Sequence, residues 1–184
     1  SLEEVIKTVR KLLEEVERRL REVVERAERM LEEVRRRTRE VSEEAREMLK
    51  DVEKALRDKN VSEEIEEKLR KIKEELERDN EKVNRDNERS VETLRRLLDR
   101  VRKEVKDIAK ELEERLKEVE RKSRDDRIVE KLLRDAERIV KRLRELIEKL
   151  REEVEKIVDE NRKTVEELRR RNEEIVRRLR REIE

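Results

Sequence analysis

Eight neutral polar side chains interrupt an otherwise regular spacing of apolar residues: Thr38, Ser42, Asn80, Asn84, Asn87, Asn161, Thr164 and Asn172. Their chemistry is narrow. A Ser or Thr hydroxyl becomes a nucleophile only beside a general base, and the chain contains no His. Metal centres inside helical bundles need inward carboxylates and His on facing helices, and no Asp or Glu falls on the main apolar stripe. With no Cys there is also no disulfide, thiolate or soft metal site. Amides and hydroxyls on an apolar face can, however, hydrogen-bond one another and fix which residues meet, as a single core Asn does in coiled coils. The expectation is therefore no enzyme, no cofactor, no metal, and a structural polar network.

Charge leads to the same place. Lys and Arg number 56 and Asp and Glu 55, so the net charge is +1 and nothing steers nucleic acid or an anionic membrane to the chain. The clusters Arg35, Arg36, Arg37 and Arg169, Arg170, Arg171 are diluted by nearby Glu, and no aromatic side chain is available to stack on bases. They read as solvated helix faces. No apolar run reaches the roughly 18 to 20 residues of a membrane span, and the opening SLEEVIKTVR lacks the layout of a signal peptide. A soluble chain is expected, cytoplasmic if expressed recombinantly, with its natural compartment left open.

The polar eight need elements to position them, and periodicity supplies those. Of 184 residues 60% are charged and 32% hydrophobic, a composition shared with disordered chains. Spacing excludes disorder: Leu2, Val5, Val9, Leu12, Val16, Leu20, Val23 and Ala27 follow a helical stripe that runs on to Leu56. Ile6, Leu13, Val24, Leu31 and Leu49 form a second row, giving the broad face that a bundle helix buries. Continued past Leu56, the stripe would fall on Lys59, Glu63, Glu66 and Arg70, all charged. A new phase begins at Val61, Ile65, Leu69 and Ile72, and Ser62 before Glu63 and Glu64 has the form of a helix N-cap.

A second phase break follows Ser123, where the stripe would meet Asp126, Glu130, Arg134 and Glu137. Asp125 or Asp126 caps a third helix carrying Ile128, Leu132, Ala136, Ile139, Leu143, Leu146 and Leu150. The spacing predicts helices over about 2–58, 62–122 and 126–183, each roughly 85 to 90 Å long at 1.5 Å per residue. Short connections make neighbours antiparallel. The expected fold is all-α: a single-chain, up-down-up three-helix bundle forming one domain over residues 1–184. Neither connection contains Gly, the usual residue for a left-handed helix end.

The stripe repeats every 18 residues, from Leu2 to Leu20, Thr38 and Leu56, from Leu69 to Asn87 and Val105, and from Leu132 to Leu150 and Leu168. Eighteen residues in five turns is about 3.6 per turn, the relaxed value, where a heptad would impose a left-handed supercoil. A nearly straight bundle follows. Only twelve residue types occur, and Gly, Pro, Gln and all aromatics are missing, whereas natural three-helix repeats of the spectrin kind contain several of these. In its alphabet, matched helices and uninterrupted repeat, the whole chain resembles computationally designed, parametrically generated untwisted helical bundles. That resemblance implies high thermal stability, no natural ligand and no catalytic residues.

The same repeat locates the polar eight. Thr38 stands where Leu2, Leu20 and Leu56 stand, Asn80 where Leu98 and Leu116 do, and Asn87 where Leu69 and Val105 do. Asn161 replaces Leu143 and Leu179, Thr164 replaces Leu146, and Asn172 replaces Val154. Asn84 matches Glu66 and Arg102 and so belongs at an edge. Folding the helices back about their loops puts Asn87 level with Asn161 and Val34, and Asn80 level with Leu168 and the region of Val41, to within about one turn. All eight then gather in one slab. Two functions are compatible with this: a monomeric structural scaffold with no natural partner, whose slab specifies register, or an interaction module that self-assembles or exchanges helices. An apolar row left over from the core would favour the second. A pocket for a small polar ligand is a third use of the slab.

Overall fold

A computed structural model of the chain describes residues 1–122 and 125–183. Nearly all of them lie in three long helices that pack against one another: α1, Leu2–Lys59; α2, Glu63–Lys122; and α3, Asp126–Ile183. No strand occurs among the described residues, and the fold is an all-α three-helix bundle.

The helix ends show how the chain turns without Gly. Asn60 follows α1 with φ 55°, in the left-handed region that Asn enters more readily than other non-glycine residues. Val61 then packs against the cluster that contains Leu56, in keeping with the hydrophobic contact that accompanies this kind of helix end. The Ser62 carbonyl accepts from the Ile65 and Glu66 amides at 3.1 and 3.2 Å, so α2 starts at this cap. Asp125, rather than Asp126, caps α3: its carbonyl accepts from Ile128 and Val129, and its carboxylate accepts from the Arg127 amide at 3.1 Å. The second connection, at residues 123 and 124, lies outside the described residues.

The helices contribute to two compact units. The first combines Ser1–Arg29 with Thr93–Glu155. Here Arg10 pairs with Glu113 at 2.9 Å and Glu28 with Arg102 at 3.3 Å, so positions on α2 fall as those on α1 rise. Glu15 with Arg144 and Arg26 with Glu155 rise together. α1 and α2 are thus antiparallel in this unit, and α1 and α3 parallel. Its buried centre includes Val9, Val16, Leu94, Leu112, Leu143 and Ile147.

The second unit combines Met30–Glu92 with Lys156–Glu184. The same ordering recurs: Arg35 with Glu88 and Glu53 with Lys73 run antiparallel, while Glu33 with Arg162 and Glu44 with Arg169 run parallel. Ala45, Leu49, Leu76 and Ile175 form one packed cluster, and Val52, Leu56, Val176 and Leu179 another. Val41, Val165 and Leu168 form a third, with Val83 against it.

Burial refines the expected stripe. Ile6, Leu13, Val24, Leu31 and Leu49 of the second row are fully buried, while Leu2, Val5, Leu12, Met30 and Met48 of the first are only half-buried. The centre line of α1 lies between the two rows, because a helix packed against two neighbours buries a wide arc and not one line of residues. In α3, Val140 and Ile147 are buried, whereas Ile139 and Leu146 are half-buried and Ile128 is 41% exposed. Ile128 is in the first turn, and its expected place on the stripe does not bury it.

Candidate functional site

The polar side chains singled out by the repeat all lie in the second unit. Thr38, Ser42, Asn80, Asn87, Asn161 and Asn172 are buried there; Asn84 and Thr164 are half-buried. Three separate arrangements account for their hydrogen bonds.

The first joins α1 and α2. The Asn87 side-chain amide donates to Thr38 Oγ1 at 2.6 Å, and the Thr38 hydroxyl donates to the Val34 carbonyl one turn back at 2.8 Å. One turn further along α1, Asn84 donates to Ser42 Oγ at 3.4 Å, a long and weak bond. The second arrangement joins α2 and α3. Asn80 donates to Asn172 Oδ1 at 3.2 Å and Asn172 donates to Asn80 Oδ1 at 3.4 Å, while Asn80 also donates to the Leu76 carbonyl at 2.7 Å. The third is internal to α3, where the Thr164 hydroxyl donates to the Glu160 carbonyl at 2.9 Å.

Two expectations are corrected here and one is met to within a turn. Asn87 bonds to Thr38 and not to Asn161, whose buried side-chain nitrogen has no partner among the described residues. Asn80 meets Asn172, one turn from Leu168 and so within a turn of the expected level. Thr164 contributes no bond between helices among the described residues; its repeat equivalent Leu146 is also half-buried, which places both at the edge of the apolar face. Ser42 is the reverse case. It shares its repeat position with Ile6 and Val24, both buried, and is buried itself.

Two further residues escaped the sequence reading. Asp79 is only 20% exposed and its carboxylate lies 3.3 Å from Arg171 Nε; its repeat equivalents Val61 and Leu97 are half-buried apolar residues, the signal that could have revealed it. Ser90 is half-buried where Ile72 and Ile108 are half-buried.

None of the eight polar residues titrates, so the layer's hydrogen bonds do not depend on pH. Perturbed groups lie elsewhere. A hydrogen bond from Arg115, 2.9 Å away, holds the Asp135 carboxyl below its ordinary range. Glu148 is likewise lowered by Arg151, whose guanidinium is raised by Glu148 and then Glu155. Lys73 is raised, first by its hydrogen bond to Glu53 at 2.9 Å. All are partly exposed surface pairs, of small worth to stability.

Among the described residues, no cluster of three or more Asp or Glu could hold a metal ion, and no helix is long and apolar enough to cross a membrane. What the arrangement does chemically is pair amides and hydroxyls across helices inside an apolar core. Fold and layer together define a class, the three-helix bundle with buried side-chain hydrogen bonds. No protein-family model matches the chain, and no curated protein matches it.

Proposed function

We propose that the chain is a structural scaffold of designed origin, a hyperstable, untwisted, monomeric bundle with no natural biochemical function, in which the polar layer specifies how the helices align. The observation that carries this reading is the reciprocal Asn80 and Asn172 pair, set where the repeat otherwise places Leu98 and Val154. An 18-residue slide of α3 along α2 keeps apolar stripe on apolar stripe, so hydrophobic burial alone does not resist it. The amides do. Slid one way, Asn80 faces Val154, and slid the other, Asn172 faces Leu98; an orphaned buried polar group costs about 1 to 3 kcal/mol.

The twelve-residue alphabet and the unbroken repeat support designed origin, and the 3.6-residue period supports an untwisted bundle. The interaction-module reading draws on a surplus apolar row, but the second row of α1 is buried and Ile128 is the one exposed large hydrophobic among the described residues.

The test replaces Thr38, Asn80, Asn87, Asn161, Thr164 and Asn172 together by Leu or Val. The variant is expected to resist denaturant more strongly, while light scattering and NMR show additional oligomers or broadened spectra. A sharply defined monomer of unchanged stability overturns the register role.

A further inference from the structure

Beside the Thr38 and Asn87 pair, a cavity of about 250 Å³ opens along the α1 and α2 seam of the second unit. Its lining includes Ser42, Asn84 and Asn87, together with Arg35, Arg39 and Arg46. The donors here outnumber the acceptors that answer them. Arg35 Nε is buried with no hydrogen-bond partner, although the two terminal nitrogens of the same guanidinium lie 3.5 Å from Glu88 and 3.8 Å from Glu32. Ser42 accepts from Asn84, and its own hydroxyl proton goes to no acceptor among the described residues. Asn84 and Asn87 each use an amide nitrogen once, leaving a second N–H. Arg39 and Arg46 are exposed and form no ion pair among the described residues.

A register device explains the bond between Thr38 and Asn87. It does not explain a buried guanidinium N–H without an acceptor, which is a destabilising feature wherever nothing fills it. Glu88 and Glu43 also line the cavity, but Arg35 is already paired with Glu88 and Glu32, which leaves Arg39 and Arg46 against the single carboxylate of Glu43. Cations find no carboxylate cluster here; an anion with several acceptor oxygens finds unused donors in the lining and two exposed guanidinium groups beside them.

We propose that this seam cavity is a binding site for a tetrahedral oxyanion of the phosphate type, held by Arg35 Nε, the Ser42 hydroxyl and the free Asn84 and Asn87 N–H groups, with the exposed Arg39 and Arg46 supplying charge beside them. The site is independent of the register role, since it uses bonds that the helix pairing leaves unmade.

The experiment is a titration of the full chain with inorganic phosphate near neutral pH, at ionic strength held constant with sodium chloride, following arginine Nε–Hε and side-chain amide signals by NMR. Saturable shifts are expected at Arg35, Asn84 and Asn87, with half-saturation on the order of millimolar. Arg46→Gln and Ser42→Ala should each weaken binding, by about tenfold for a lost charge-assisted contact. Arg144→Gln in the other unit should leave it unchanged. Because Arg46 is exposed, its replacement keeps the fold, which circular dichroism verifies. Shifts no larger than those in chloride alone, or binding indifferent to Arg46→Gln, overturn the proposal and leave the cavity to water.

Discussion

Asn80 and Asn172 face each other across α2 and α3 and exchange side-chain hydrogen bonds in both directions, 3.2 Å one way and 3.4 Å the other. The exchange is unequal in its support. Asn80 has a second acceptor in the Leu76 carbonyl, and Asn172, 1% exposed, has none besides Asn80.

That inequality sets the outcome of a double-mutant cycle. Asn80→Leu strands both polar atoms of Asn172 and should destabilise by about 1 to 3 kcal/mol in urea denaturation. Asn172→Leu strands chiefly the Asn80 carbonyl oxygen and should cost less. The double replacement should recover most of the loss, leaving a coupling energy of at least about 0.5 kcal/mol. Additive single effects would show that the two amides do not depend on each other.

Asn161 makes the opposite case. Its side-chain nitrogen is buried without a partner, at a position where the repeat puts Leu143 and Leu179. Asn161→Leu is therefore expected to stabilise the chain, by about 1 to 3 kcal/mol for removal of an unsatisfied buried group. A destabilised variant would mean that an ordered water or another partner satisfies Asn161.

The first helix end rests on Asn60. At φ 55° a Cβ is a burden that Asn tolerates and Ala does not. Asn60→Ala should cost about 1 kcal/mol, and Asn60→Gly should be neutral or stabilising. Thermal midpoints of the two variants, compared with the parent chain, check the sign of each.

Stability should be flat across neutral pH. Asp135 and Glu148 are held below their ordinary range by Arg115 and Arg151, so what they contribute is present at neutral pH and is lost as pH falls through their lowered values. Lys73 is raised, so its contribution persists at neutral pH and is lost only as pH rises through the raised value. With no His in the chain, urea midpoints should hold steady from about pH 5 to pH 10. An inflection between about pH 6 and 8 would contradict this assignment.

The sequence by itself determined the helices and most of what they bury. A stripe at 3.6 residues breaks phase only where a helix ends, so Leu56, Val61 and Ser62 marked the first turn to within a residue or two. The 18-residue repeat carried much of the burial as well: Ser42 is buried like its equivalents Ile6 and Val24, although Asn84 is half-buried where Glu66 and Arg102 are exposed. What only the tertiary structure decided is which polar groups meet. Partner choice depends on where the chain reverses and on the direction in which each side chain leaves its helix, both finer than one turn. Across α1 and α2 Asn87 met Thr38, across α2 and α3 Asn80 met Asn172, and the Asn161 side-chain nitrogen was left without a partner among the described residues. Periodicity specifies a face to within one helical turn of about 5.4 Å, whereas a hydrogen bond discriminates within a few tenths of an ångström.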